Sequence, residues 1–381
     1  MKGIGHKKPK KPKKRTPAWS EINRNSKGQV KNTSAYVKIV VGGRVAPNEP
    51  VDDMRQPRIK VDPVTDQGVY HCMTRVVNKE RLFDDPAREV LRRQLWLVAE
   101  YCGVEVLTYA ILRNHFHVLV KVPRQTVVPD NELLRRYQLL YPKPTRYQTA
   151  RLSVIQSQLA TNGPEAVVWR RRQLSLMGDV SQYMKLVKQR FSIWFNQSHG
   201  RIGTLWCERF KSVLVEPQGD TLRIMAAYID LNLVRAGLAT DPKDGRFCGY
   251  AEAVAGSESA RRGLMAVTGV TDWNEAQSAY RQGLFGAGTA TREDKHAITY
   301  EDFQRVLREG GKLPLADVLR CRVRYFSDGA VLGSQAFVAT HLARYRQRTG
   351  RRERAAPRQL PPVTDWGDLA TLRGLRRNAF G

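Results

Sequence analysis

Two histidines separated by one large apolar residue lie in the run Asn114-His115-Phe116-His117 of the 381-residue sequence. The residues that follow are β-branched and apolar, which predicts a strand. Side chains alternate between the faces of a strand, so His115 and His117 are expected on one face and Phe116 on the other. Two neutral imidazoles on one face can bind one divalent cation and leave room for other ligands. Ordinary surface or hydrogen-bonded histidines are the alternative interpretation of this motif.

A second pair of chemically useful residues lies further along the chain, at Tyr228 and Asn232. Their segment has the periodicity of a helix, and four residues turn an α-helix by about 400°. The two side chains are therefore expected on one stripe, one turn apart, where a phenol and an amide oxygen can face the same point. The alternatives are a packing role for Tyr228 and a helix-end role for Asn232.

Hydrophobic periodicity predicts the elements that position these residues. The predicted strands are Gly68–Val76, Val104–Leu112, His115–Val122 and Glu208–Glu216, and the predicted helices are Pro86–Cys102, Val180–Asn196 and Thr221–Leu238. The two middle strands are joined at Arg113-Asn114, which indicates a hairpin. The order strand, helix, strand, strand, helix, strand, helix predicts an α+β fold, a ferredoxin-like antiparallel sheet with helices packed on it.

Composition restricts the class of partner. The chain has 64 Lys and Arg against 36 Asp and Glu, a formal net charge of +28. Basic residues spread along the whole chain favour nucleic acid over an anionic membrane or an acidic protein. The sequence has no apolar run of about 18 residues and no apolar secretion signal, so we expect no membrane partner and a cytoplasmic location. Five scattered cysteines favour neither a disulfide framework nor a thiolate zinc site: Cys72, Cys102, Cys207, Cys248 and Cys321.

Four segments together resemble a known family in their order and spacing. They are YHCMTRVVNKERLF, YAILRNHFHVLVKVP, YMKLVKQRFSIWFNQSHGRIGTLWCERFKSVLVE and AYIDLNLVRAGL. The chain is similar to the HUH single-tyrosine transposases, and among these it looks most like the REP-associated tyrosine transposases. The resemblance extends over about Val69 to Tyr250, with an insertion inside it.

The resemblance implies an active site and a reaction. The histidine pair of the family corresponds to His115 and His117 and implies a divalent metal, Mg²⁺ or Mn²⁺. The family's nucleophile, on a helix that ends in a sequence like YIxxNPVRAG, corresponds to Tyr228, and the third ligand of relatives corresponds to Asn232. Leu233 departs from the pattern, because relatives usually have proline there, which puts the local helix geometry in question. The implied activity is nicking and rejoining of single-stranded or hairpin DNA through a covalent 5′-phosphotyrosine intermediate.

Composition and the resemblance together divide the chain into regions. Residues 1–60 are predicted to be a basic, largely disordered arm, and residues 61–255 the HUH catalytic domain, with a less regular insertion at about 123–178. Residues 270–349 are predicted to form a small helical accessory domain, in which Ser327 to Val338 suggests a helix-turn-helix, and residues 350–381 a basic tail.

The expected partners follow from charge and resemblance. Candidate contacts to the DNA backbone are Lys185, Lys188, Arg190, Arg201, Arg209 and Lys211. We expect a monomer or homodimer associated with the nucleoid of a bacterial cell. The alternative function is noncatalytic binding of single-stranded DNA or RNA on the same fold.

Overall fold

The computed structural model describes residues 58–143, 151–285, 329–349, 357–359 and 369–372. The basic arm predicted for residues 1–60 therefore lies outside the described residues, except for its last three. Among the described helices, none is both long enough and apolar enough to cross a membrane.

Four neighbouring strands of the sheet are antiparallel, in the order β2-β3-β1-β4 with β2 at the edge. They are β1 (Gly68–Arg75), β2 (Glu105–Ile111), β3 (His115–Val122) and β4 (Lys211–Val215). The main-chain amide of Leu112 donates to the carbonyl of His115 at 2.9 Å, which closes the hairpin at Arg113-Asn114. The predicted α+β fold with an antiparallel sheet is confirmed.

The helices, in chain order, are α1 (Asp85–Cys102), α2 (Asp130–Leu140), α3 (Leu152–Thr161), α4 (Pro164–Leu174), α5 (Val180–Ser198), α6 (Asp220–Asp230), α7 (Asn232–Arg235), α8 (Gly249–Val254), α9 (Glu258–Thr268), α10 (Trp273–Phe285) and α11 (Gln335–Thr349). Helices α1 and α5 cover one face of the sheet, where they bury Phe116, Val118 and Val120 of β3. Helices α6, α8, α9 and α10 cover the other face, where they bury Leu119 of β3 and Val213 of β4.

The single helix predicted over Thr221–Leu238 is wrong in detail, because the helix is interrupted at Leu231 between α6 and α7. The main-chain carbonyl of Tyr228 accepts a hydrogen bond from the Asn232 side chain at 3.1 Å and another from the Arg235 guanidinium. Asparagine side chains compete with main-chain donors in this way and favour helix ends. The interruption therefore places Tyr228 in the last turn of α6.

The insertion is more regular than its sequence indicates, because its described residues contain α2, α3 and α4. Ile155, Leu159 and Ala166 form a small apolar cluster of their own, separate from the two clusters on the sheet. Within the basic run of α4, Arg170 pairs with Asp130, with N–O distances of 2.7 and 2.6 Å. That guanidinium is thus held by a carboxylate of the insertion.

The helix-turn-helix suggested for Ser327 to Val338 is wrong for its described residues. They form a strand, β5 (Val331–Ser334), which pairs in parallel with β4 and continues directly into α11. Two short strands, β6 (Arg358–Gln359) and β7 (Leu369–Leu372), extend the sheet beyond β5, in the order β5-β7-β6. Val331 and Leu332 are fully buried, so removal of their apolar side chains from water stabilises the strand. The division of the chain into domains stays a prediction.

Candidate active site at the histidine pair

Strand β3 carries the histidine pair on the face covered by α6. His115 and His117 alternate with Phe116, which packs under α1 and α5, and share their face with Leu119. The two imidazole centroids are 5.1 Å apart, with an angle of 72° between the rings. His117 is buried and His115 is partly exposed, so one side of the pair remains open to a ligand.

Tyr228 meets this pair from the last turn of α6. Its ring centroid lies 6.0 Å from that of His117, with the ring planes at 86°. The tyrosine is 6% exposed, so its phenol is held against the sheet and does not extend into solvent. A strand and a helix of the same chain thus bring together two imidazoles and a phenol.

A third histidine, His71 of β1, completes the cluster and was missed from the sequence. Its Nε2 lies 2.8 Å from Nδ1 of His117, and the two rings stack at 5.1 Å and 14°. Its ring centroid is 6.0 Å from that of Tyr228. A detectable pattern was present, because His71 alternates with Met73 and Arg75 along the strand segment HCMTR, which puts all three on one face.

Burial keeps both members of the pair uncharged. Burial, together with a smaller contribution from the positive charge of Arg75, lowers the pKa of His115 to about 4. Burial also holds the pKa of His117 well below its usual value, with smaller contributions from His71, His115 and Arg235. At neutral pH each imidazole therefore has a nitrogen lone pair, which is the form that binds metal ions.

Two arginines give the site positive charge. Arg75 is the direct partner of His115 in the register of β1 and β3, and its buried Nε has no hydrogen-bond partner among the described residues. Arg235 of α7 lies over the Tyr228 ring, 4.5 Å from its centroid. Guanidinium groups bind phosphate oxygens through several directed donors, so this surface is suited to a phosphodiester.

Asn232 is fixed to the helix that carries the tyrosine. Its amide nitrogen donates to the main-chain carbonyl of Tyr228 rather than to a histidine. The amide oxygen takes no part in that hydrogen bond, and it is of the type that Mg²⁺ and Mn²⁺ prefer as a ligand. In the described part of the chain, no group of three or more His, Cys, Asp or Glu is arranged to hold a metal, so a cation here would need the amide oxygen and water beside the two imidazoles.

Asp230 anchors α6 next to the site. This carboxyl is fully buried, accepts a hydrogen bond from Thr108 of β2 at 2.8 Å and another from the Tyr280 hydroxyl of α10. Burial raises its pKa to about 7, although these hydrogen bonds oppose the shift. Because Asp230 follows Tyr228 by two residues, its contacts to the sheet and to α10 fix the position of the last turn of α6.

Three of the predicted DNA contacts lie on α5, which covers the sheet face opposite to the histidines. Lys185 is exposed there. Lys188 donates to the Glu208 carbonyl at 2.8 Å, and Arg190 donates to the Gln94 side chain at 2.9 Å. The structure does not bring these three residues to the histidine pair.

Lys211 lies closest to the site among the six candidates in terms of sheet register. It pairs with Met73, and Met73 pairs with His117 on its other side. The three residues therefore form one row across the sheet, with side chains on one face. Arg201 and Arg209 lie in the connection between α5 and β4, which joins β1 where Cys207 donates to the carbonyl of Arg75. The DNA-contact role of all six residues stays a prediction.

Comparison with known proteins agrees with the resemblance seen in the sequence. Residues 64–131, which include β1, the hairpin and the histidine pair, match the family described as "Transposase IS200 like". This match confirms the resemblance to single-tyrosine transposases and supports a transposase role. No curated protein matches the chain.

A solved structure of a REP-associated tyrosine transposase bound to a REP hairpin is also similar. It is 15% identical, and the similarity covers 50% of this chain and 80% of that chain with a TM-score of 0.32.

Proposed function

We propose that this protein is a transposase that nicks and rejoins single-stranded or hairpin DNA, with Tyr228 as its nucleophile. The observation that carries the proposal is the meeting of Tyr228 with His117, their ring centroids 6.0 Å apart, in a chain whose histidine-pair segment matches a transposase family. A phenol beside two neutral imidazoles and two arginines has the groups that a phosphodiester transfer needs.

The reaction exchanges one ester for another. The Tyr228 oxygen loses its proton and attacks phosphorus, the bond from phosphorus to the 3′-oxygen breaks, and that oxygen takes up a proton. The products are a 5′-phosphotyrosine and a free 3′-hydroxyl. The ester bond is conserved in the exchange, so attack by a 3′-hydroxyl on the phosphotyrosine rejoins the strand without a nucleoside triphosphate.

Two imidazoles and an amide oxygen are ligand types that bind a divalent cation such as Mg²⁺ or Mn²⁺. His115, His117 and the amide oxygen of Asn232 would hold it, and when bound it supplies Lewis-acid polarisation of the scissile phosphate. Arg75 adds positive charge beside His115, where it would attract the phosphate oxygens. Arg235, over the Tyr228 ring, would attract the negative charge of the phenol oxygen after its proton is lost.

The partner in this proposal is DNA, bound as a single strand or a hairpin. The net charge of +28 favours contact with the phosphate backbone. Because the tyrosine and the histidines meet within one chain, a monomer has a complete site, and a homodimer would have two. In this proposal the protein acts on the nucleoid, in the cytoplasm of a bacterial cell.

The test is the covalent intermediate. A labelled pool of DNA hairpins with randomised single-stranded flanks is incubated with the protein and Mg²⁺ or Mn²⁺, and denaturing gels report protein–DNA adducts. We expect an adduct with the parent protein and none with Tyr228→Phe, and mass spectrometry should locate the nucleotide on Tyr228.

The matched control is Tyr183→Phe on α5, whose hydroxyl donates to the Leu95 carbonyl on the other side of the sheet. That variant should form the adduct at the parent rate. An adduct that persists in Tyr228→Phe would refute the assignment of the nucleophile. Tight binding that is insensitive to chelator, with no adduct under any metal condition, would instead favour the noncatalytic binding protein.

A further inference from the structure

Each histidine of the pair has its Nδ1 atom placed against another side chain. Nδ1 of His115 lies 2.6 Å from Oδ1 of Asn114, and Nδ1 of His117 lies 2.8 Å from Nε2 of His71. Neutral imidazole has one protonated nitrogen and one with a lone pair, and a hydrogen bond at one nitrogen decides which form is present. In both rings, Nδ1 is thus the nitrogen in contact with a neighbouring side chain.

The direction of the Asn114 hydrogen bond is determined by the amide. Its Nδ2 donates to the main-chain carbonyl of Lys79 at 2.9 Å, so Oδ1 is the atom that faces His115. An amide oxygen only accepts hydrogen bonds, so Nδ1 of His115 must be the protonated nitrogen. The lone pair of His115 is therefore on Nε2.

The contact between His71 and His117 permits two directions, because either ring can donate. His71 is 1% exposed and His117 is 2% exposed, and burial favours a neutral pair that shares one proton across the contact. If His117 donates through Nδ1, its lone pair is on Nε2, as in His115. If His71 donates, Nε2 of His117 is protonated and cannot be a metal ligand.

We infer that His71 and Asn114 are positioning residues that hold both imidazoles of the pair as Nδ1-protonated tautomers, each with an Nε2 lone pair for a shared cation. This inference rests on the proposed function, because a metal role for Nε2 of His117 selects the direction of its hydrogen bond. Metal-binding histidines generally donate their other ring nitrogen to a carbonyl, carboxylate or water, and loss of such a partner costs about 10 to 100-fold in metal affinity. In this chain the acceptors are an asparagine amide and a third imidazole.

The first experiment determines the tautomers of His115 and His117 in metal-free protein. In ¹⁵N-histidine-labelled protein, two-bond ¹H–¹⁵N spectra distinguish protonated from lone-pair nitrogens in each ring. We expect Nδ1-protonated His115 and His117 in the parent protein. An Nε2-protonated His117 in the parent protein would overturn the inference, whether or not the protein cleaves DNA.

The second experiment measures Mn²⁺ binding by calorimetry. His71→Leu removes the acceptor while keeping a buried side chain, and we expect its Mn²⁺ Kd to rise about 10 to 100-fold. His71→Gln restores an acceptor oxygen, so its Kd should stay within a few-fold of the parent value. Cys72→Ala is the matched control, because Cys72 is a fully buried neighbour on the opposite face of β1, and its Kd should not change.

Two outcomes separate this inference from the proposed function. If the parent protein binds no Mn²⁺ but His115 and His117 show the expected tautomers, the metal mechanism fails and the tautomer assignment stands. If the parent binds Mn²⁺ and folded His71→Leu binds it equally well, the positioning role of His71 fails. Should His71→Leu not fold, the pair Asn114→Ala and Asn114→Asp applies the same test to His115, with weaker Mn²⁺ binding expected only in the alanine variant.

Discussion

Tyr228 of α6 and His117 of β3 lie in one chain with their ring centroids 6.0 Å apart and their planes at 86°. The phenol and the histidine pair are therefore close enough to act on one phosphate without a second subunit. The buried carboxyl of Asp230 holds the end of α6 against β2 through Thr108, which keeps the tyrosine in this position. This arrangement leads to a prediction about mixed subunits.

Complementation between inactive variants should fail. We expect Tyr228→Phe and His117→Ala each to abolish adduct formation, and a 1:1 mixture of the two to remain inactive, because every site takes both groups from one chain. If the tyrosine instead served the partner's histidines, half of the dimers would contain one intact site and the mixture would recover about a quarter of the parent activity. The adduct assay on co-refolded mixtures distinguishes the two outcomes.

Arg75 should contribute to DNA cleavage without contributing much to stability. Its Nε is buried and lacks a hydrogen-bond partner in the described part of the chain, and its positive charge lies opposite His115 in the sheet. Loss of one preordered donor to a developing negative charge costs about 100 to 1000-fold in other active sites. For Arg75→Gln we expect at least a tenfold slower single-turnover adduct formation.

The control for Arg75 is Arg93→Gln on α1, an arginine with a 70% exposed side chain on a helix that covers the other face of the sheet. Its adduct rate and its urea midpoint should match those of the parent. A normal rate in Arg75→Gln, or an equal loss in Arg93→Gln, would show that Arg75 has no specific role.

The contribution of Asp230 to the stability of the protein should decrease as pH rises. Burial raises the pKa of this carboxyl to about 7, whereas the unfolded value is near 3.9. Between these values the Asp230 carboxyl is therefore protonated in the folded protein and ionised in the unfolded chain. The stabilising contribution is complete below about pH 4 and is lost as pH rises through about 7, by up to roughly 4 kcal/mol.

Asp230→Asn removes this titration and retains both an acceptor for Thr108 and polar contact with Tyr280. Urea unfolding of both proteins at pH 5 and pH 8 measures the effect. We expect the free energy of unfolding of the parent to fall relative to that of the variant between the two pH values. Parallel pH profiles would contradict the raised pKa.

The sequence correctly predicted the elements whose apolar residues recur with a regular period. The strand β3 and its hairpin with β2 follow from alternating apolar residues and the Arg113-Asn114 turn, and they place His115 and His117 on one face. The interruption after Asp230 was not predictable from periodicity, because it depends on a side-chain hydrogen bond from Asn232 to the Tyr228 carbonyl. The spacing of apolar residues in a helix does not show where a side chain competes with the main chain for a carbonyl.

The role of His71 and the strand β5 were not predicted for a different reason. The alternation in β1 placed His71 on the same face as Arg75. The contact of His71 with His117, 46 residues later in the chain, depends on the register of β1 and β3. Strand β5 is stabilised by pairing with β4 and by Glu216, the residue after β4. The Glu216 carboxylate accepts hydrogen bonds from the amide and hydroxyl of Ser334 at 2.7 and 3.0 Å. Long-range pairing of this kind leaves no local pattern in the sequence.

Two helix glycines should respond in opposite ways to alanine, because one touches the sheet and the other does not. At Gly263 of α9, an added Cβ would come within 2.5 Å of the Leu107 carbonyl oxygen and 2.6 Å of that of Val106. Main-chain atoms of β2 cannot rotate away, so Gly263→Ala must push α9 off the sheet. We expect it to lower the free energy of unfolding by about 1 to 3 kcal/mol.

Gly283 of α10 is the matched position, since an added Cβ there meets no described atom within 4 Å. Gly283→Ala should raise the free energy of unfolding by about 0.5 to 1 kcal/mol, because alanine loses less main-chain entropy in a helix than glycine does. Urea denaturation of the two variants beside the parent measures both changes. Helix α9 also packs against α6 in the same apolar cluster, close to the Asp230 anchor. Gly263→Ala should therefore slow adduct formation as well, whereas Gly283→Ala should leave its rate unchanged. An equal effect of both substitutions would mean that the close approach of α9 to β2 is absent.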